Sequence, residues 1–176
     1  MNIWHDINPE RIKKDRFIAV IEISKNTKNK YELDKETGML KLDRILYTST
    51  HYPTNYGFIP RTYAADYDPL DVLVICSEAI QPLCIVECYP IGVIRMIDGG
   101  MVDDKIIAIP YNDPTWNYYQ NVDDLSPHIV QELEHFFEVY KQLEHKDTCV
   151  LKVLGKKDAT TIIENSIIAY NEKFSK

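Results

Sequence analysis

The chain is marked first by what it lacks. No Gly-x-x-x-x-Gly-Lys run is present, so nucleotide binding of the P-loop kind has no support. The four cysteines, Cys76, Cys84, Cys88 and Cys149, form no C-x-x-C pair, and no His-x-x-x-His accompanies them. A zinc site is thereby disfavoured. Cys76, Cys88 and Cys149 lie in or beside apolar runs and read as small buried thiols of a reduced, cytoplasmic protein. His5, His51, His128, His135 and His145 are scattered, and no Ser-His-Asp or Cys-His set emerges. No apolar run approaches the length of a membrane span. Residues 1–10 have neither the apolar stretch nor the charge pattern of a signal peptide. Positive charge is in deficit: the net charge is −7, which opposes non-specific nucleic-acid binding. Repeats, linkers and low-complexity tracts are absent, and 176 residues suit one domain spanning 1–176.

What is present gathers around Asp66-Tyr67-Asp68-Pro69-Leu70-Asp71, directly followed by the apolar run Val72-Leu73-Val74-Ile75. The run reads as a buried strand. Strict alternation would put Asp71 on the face opposite Asp66 and Asp68. Pro69 interrupts that alternation, so a loop could turn all three carboxylates into one cavity. Asp-x-Asp-Pro is also ordinary turn chemistry. The choice between a turn and a site for a hard divalent cation is therefore left to the rest of the chain.

Taken in order, 1–15 reads as a surface arm, and Arg16 to Ile23 as a strand with Glu22 near its end, facing either water or the interior. Lys30 to Asp34 and Met39 to Leu42 read as a hairpin closed through 35–38, with Lys30, Glu32 and Asp34 on one face. Residues 44–63 form rigid, irregular chain rich in tyrosine and proline. Ile85 to Tyr89, Ile91 to Ile97 and Lys105 to Pro110 read as three strands, with an acidic turn from Asp98 to Asp104 between the last two. Ser126-Pro127 starts a helix whose apolar stripe runs through Ile129, Leu133, Phe136, Phe137, Tyr140 and Leu143. Cys149 to Leu154 reads as a final strand, and Asp158 to Phe174 as a second amphipathic helix. Many short strands followed by two late helices define an α+β protein, read as a small closed or nearly closed barrel with helices outside.

The inward-aimed polar groups combine acids with Lys30, Arg44, Lys105 and Lys141 and with the hydroxyls of Tyr52, Tyr56 and Tyr140. Acids hold hard cations, while lysine, arginine and tyrosine hold an anion, and a phosphate compound matches both halves. A metal-dependent phosphoryl hydrolase and a non-catalytic barrel binding cations or a phosphorylated partner both fit. An oligonucleotide-binding barrel is opposed by the acidic charge.

Several ordered blocks then carry a resemblance: Lys30-Tyr31-Glu32-Leu33-Asp34-Lys35, Leu42-Asp43-Arg44, Tyr52-Pro53 with Asn55-Tyr56-Gly57, Asp66 to Val72, Asp98 to Lys105, and His135-Phe136-Phe137 with Tyr140-Lys141. In order and spacing the chain resembles a soluble family I inorganic pyrophosphatase of the short prokaryotic type. The resemblance implies a five-stranded OB-like barrel with additional hairpin strands and two C-terminal flanking helices, assembled as a homohexamer in the cytoplasm. It implies Mg²⁺-dependent hydrolysis of pyrophosphate to two orthophosphates, with several ions per active site. Asp66, Asp71, Asp98 and Asp103 would hold the metals. Asp68 would be the general base toward the metal-activated water. Lys30, Arg44, Tyr56, Lys105, Tyr140 and Lys141 would bind the phosphates, Glu22 and Glu32 would order metal-bound waters, and Tyr52 would support the site. No nucleic-acid or membrane partner is implied. The family places a small residue where Tyr67 stands. Tyr67 is expected in an ordinary β-like conformation pointing away from the metals, since a positive φ would cost about 1–2 kcal/mol. Asp104 is expected to be exposed.

Overall fold

The structure is a computed structural model and describes residues 2–174. Its strands are β1 (Phe17–Ile23), β2 (Asn29–Leu33), β3 (Leu40–Ile45), β4 (Asn55–Ile59), β5 (Leu70–Val74), β6 (Ile85–Asp98), β7 (Met101–Pro110) and β8 (Thr148–Gly155). Helix α1 (Pro127–Val139) precedes β8, and α2 (Lys156–Phe174) follows it. The main sheet runs β1-β4-β5-β7-β6-β8, and β1 also pairs with β6. Five strands therefore close a ring, β8 adds a sixth outside it, and β2 with β3 makes a separate hairpin. This is the OB-like α+β barrel expected from the sequence.

Closure explains the composition of the strands. All seven residues of β1 are buried, because one face lines the barrel and the other is covered. One apolar cluster lies under α1 and joins Leu73, Ile94, Met96 and Ile107 to Leu133, Phe136 and Phe137. A second lies under α2 and joins Phe17, Ile21, Val72, Val93 and Ile106 to Ala159 and Ile163. Where β4 crosses β1, Gly57 is required: a Cβ there would sit 1.8 Å from the Val20 carbonyl oxygen.

Four readings are corrected. The strands expected at 85–89 and 91–97 are one strand, β6. Pro90 donates no ladder bond, and its cost is absorbed by a register shift between Pro90 and Gly92. The acidic turn shrinks to Gly99-Gly100, both at positive φ, so Asp103 and Asp104 lie on β7 itself. Leu143 is exposed, because α1 ends at Val139 and a short 3-10 turn, Gln142–Glu144, breaks the stripe. Cys149 is exposed on β8, while Cys88 is buried and Cys76 half-buried. The N-terminal arm lies on the surface as expected, but Trp4 and Ile12 insert from it, and the Trp4 indole donates to the Thr62 carbonyl at 2.9 Å.

Candidate active site

A cavity of about 590 Å³ opens between the β2–β3 hairpin, the loop before β5, the β6–β7 hairpin and the end of α1. Most of the residues singled out from the sequence line it: Glu22, Lys30, Glu32, Tyr56, Asp66, Asp68, Asp71, Asp98, Asp103, Lys105, Tyr140 and Lys141. Tyr52 and Arg44 do not. Tyr52 is buried behind the wall, its ring 5.6 Å from Tyr56 and 4.8 Å from Phe136. Arg44 lies opposite Lys30 on β3 and is held by Asp43 and Glu144.

The loop before β5 is built by local hydrogen bonds. Asp68 N–H donates to the Asp66 carboxylate at 3.2 Å, and Ala64 N–H donates to the Asp68 carbonyl at 2.8 Å. Buried Thr62 clamps the far end: its hydroxyl donates to the Ile59 carbonyl at 2.6 Å and accepts from Leu70 N–H at 2.8 Å. The turn needs a left-handed residue, and Tyr67 supplies it at φ 70°, with its side chain 68% exposed. The expected β-like backbone is therefore wrong, while the outward-pointing ring is right. The turn's closing bonds outweigh a strain of about 1–2 kcal/mol.

On β7, strand alternation separates neighbouring acids. Asp103 and Lys105 face the cavity. Asp104 faces away and forms a two-pronged ion pair with Arg95, 2.8 Å on each arm. It is thus paired rather than simply exposed. The parallel register of β5 with β7 sets Asp71 opposite Lys105. The Lys105 ammonium is 2% exposed and lies 2.8 Å from Asp71, 3.1 Å from both Asp103 oxygens and 3.0 Å from the Tyr56 hydroxyl. At the far wall Lys141 binds Asp98, to which the Tyr140 hydroxyl also donates at 3.4 Å.

Burial dominates the electrostatics. It raises the Glu22 carboxyl to about 8, even though Leu33 N–H donates to it at 2.7 Å. Glu22 is therefore a buried acid, the inward of the two orientations left open by the sequence. Burial likewise raises Asp66, and it lifts Asp103 to about 6 against the pull of Lys105. Burial also works against the charge on Lys105, but Asp71, Tyr56 and Asp103 outweigh it and hold the ammonium protonated. Among the described residues no three acids, histidines or cysteines stand together as a preformed metal cluster. Lys30, Lys35, Lys105 and Lys141 stand between them, each paired with a carboxylate. The donors facing the cavity are oxygens, with no thiol or imidazole, and several are acids that burial makes reluctant to ionise alone. That set fits hard divalent cations.

Sequence reasoning passed over four residues here. Lys35 binds Asp68 and lies 5.3 Å over the Trp4 ring, and Trp4 itself lines the cavity. Asp43 bridges Lys30, at 3.3 Å, and Arg44. Lys35 and Asp43 stood inside the motif blocks, whereas nothing in the sequence marked Trp4 or Glu144.

A closed barrel whose one end interleaves oxygen acids with fixed cations defines a protein that brings metal ions and a polyanion together. Comparison with known proteins narrows this class. Residues 19–171 match the family described as inorganic pyrophosphatase. A soluble inorganic pyrophosphatase of Chlamydomonas reinhardtii is 44% identical over 171 residues, covering 97% of this chain and 89% of the relative. The solved inorganic pyrophosphatase of Helicobacter pylori superposes with a TM-score of 0.88 at 44% identity, covering 91% of this chain and 96% of that one. That of Thermus thermophilus gives 0.89 at 34% identity, covering 97% and 99%. The chain belongs to the inorganic pyrophosphatase family.

Proposed function

We propose that this chain hydrolyses inorganic pyrophosphate to two orthophosphates with the help of divalent metal, and that Mg²⁺ is the metal, several ions to a site. The observation that carries this reading is the convergence of Asp66, Asp68, Asp71, Asp98 and Asp103 with Lys30, Lys105 and Lys141 on one cavity. Asp66, Asp71, Asp98 and Asp103 would hold the metals. Divalent metal, when bound, supplies charge neutralisation at phosphoryl oxygens and a lowered pKa for water.

The remaining chemistry belongs to the chain. Asp68 takes the proton of the attacking water; it is half-exposed on a braced loop and stands apart from the buried Lys105 knot. Lys105 presents a point charge that cannot move far, and Lys30, Arg44 and Lys141 add charge around the rim. Tyr56 and Tyr140 stay protonated, since burial raises both well above an ordinary phenol, and so remain hydrogen-bond donors to phosphate. Glu22 and Glu32 order water at the cavity wall, and Tyr52 packs behind Tyr56 to fix its ring.

The same reading takes 1–176 as a single catalytic domain in a cytoplasmic homohexamer. The acidic net charge supports the exclusion of nucleic acid. No helix among the described residues is long and apolar enough to cross a membrane. Sedimentation tests the assembly. Phosphate release from pyrophosphate and Mg²⁺ tests the activity: release that stops on adding a chelator is expected, and none above buffer from folded protein would overturn it.

A further inference from the structure

Glu144 is a buried charge that the proposed reaction does not use. It ends the short turn after α1, and its side chain is only 5% exposed. A carboxylate so buried is costly unless a cation faces it. The close cation is Arg44, whose Nε lies 2.7 Å from Glu144 Oε1; Lys146, itself largely exposed, stands at 3.8 Å. The Arg44 approach is close in distance but off the N–H line, so Nε and the second oxygen, Oε2, are both buried without a hydrogen bond. The pair is electrostatic, held by the backbone on either side.

That backbone is specific. Lys141 carbonyl accepts from Glu144 N–H at 3.0 Å and from Lys146 N–H at 3.4 Å, and His145 closes the turn at φ 56°. One turn thus points Lys141 into the cavity and Glu144 at Arg44. On the other side, Arg44 belongs to the β2–β3 hairpin, which shares no ladder with the barrel among the described residues. Asp43 ties Arg44 to Lys30 within that hairpin. The ion pair of Glu144 with Arg44 therefore joins two walls of the cavity that the sheet does not join.

We propose that Glu144 is a positioning residue: by holding the Nε edge of Arg44 it fixes the plane of the guanidinium fork toward the phosphate-binding rim. A guanidinium recognises phosphate through a planar fork, so its orientation governs affinity. The inference rests on the phosphate-binding reading of Arg44.

Glu144→Gln keeps the shape and removes the charge. Its KM for pyrophosphate with Mg²⁺ is expected to rise about tenfold, the order of a single charge-assisted interaction, with kcat changed much less. In an Arg44→Ala background the same change is expected to add nothing, because the two residues act as one unit. Glu144→Asp should recover part of the loss. An unchanged KM, or the same tenfold rise without Arg44, would overturn the proposal. A second measurement needs neither turnover nor metal: the Arg44 Nε–H resonance, followed by NMR in the whole protein. It should be sharp in the native chain, where the guanidinium keeps one orientation beside the fixed charge, and broadened in Glu144→Gln and, less so, in Glu144→Asp. No difference between native and Asp forms overturns the proposal even where the Gln form fails to fold. If the native protein releases no phosphate, the hydrolase reading falls, and this resonance still decides whether Glu144 holds Arg44.

Discussion

Two acidic segments meet in the cavity, and they sort their carboxylates by different means. On the loop 66–69, turn geometry does the work: Asp66 and Asp68, two apart, are both brought to the cavity by a bend that forces Tyr67 to positive φ. On β7 the pleat does the work: Asp103 enters the cavity, and adjacent Asp104 turns away to Arg95. A loop can gather charges at the cost of backbone strain, whereas a strand separates them at no such cost. Lys105 then stitches β7 to β5, the strand that follows the loop, by meeting Asp71 there and Asp103 on its own strand.

The largest expected effect lies on the loop. Asp68→Asn should lower kcat by about 10²–10⁴-fold while retaining much of the affinity for Mg²⁺ measured by calorimetry. Normal turnover would remove Asp68 from its role as base. Next is the stitch itself. Lys105→Met leaves the partly buried carboxylates Asp71 and Asp103 facing each other, and should cost about 3 kcal/mol in denaturant unfolding of metal-free protein. Added Mg²⁺ should restore part of that loss if a cation takes the vacated place.

Glu22 offers a strand-borne acid as a control on pH. Its folded pKa, about 8, lies above the ordinary glutamate value of 4.5. The folded state therefore holds its proton more tightly than the unfolded chain does. The stabilisation is complete below pH about 4.5 and is lost as pH rises through about 8. In chelator-treated protein, unfolding free energy should fall across that window, and Glu22→Gln should flatten the fall. An equal slope in the variant would assign the effect to other groups. A smaller effect is expected on the strand's outward acid. Asp104→Asn should cost about 1 kcal/mol in stability and leave kcat unchanged, the discount reflecting a partly exposed Arg95. Loss of turnover there would break the contrast between the two faces of β7. The smallest concerns Tyr67. Tyr67→Gly should gain about 0.5–1 kcal/mol, the relief of left-handed strain less the added freedom of the unfolded chain. A loss of stability would mean that the exposed ring contributes more packing than its approach to Tyr63, 6.3 Å between centroids, implies.

Much of this was legible from residue types and order. Apolar runs marked the strands because a closed barrel buries both faces of β1, and the stripe Leu133, Phe136, Phe137 marked α1 because one helical face must meet the core. Ordered blocks of acids, lysines and tyrosines marked most of the cavity wall. What escaped depended on backbone detail. The break between two strands at Pro90 was a bulge, and the Asp98–Asp104 turn was a two-glycine hairpin whose alternation sends Asp104 away.

The sequence alone determined which chemical groups the protein brings and the α+β barrel that carries them, because periodicity and residue type act locally along the chain. Only the tertiary structure decided which groups meet. Lys105 sits between Asp71 and Asp103, Glu22 lies buried against Leu33, and Glu144 faces Arg44 across two elements. Such pairings arise from strand register and the closure of one wall upon another, and the charge a buried group bears depends on the partner that closure places beside it.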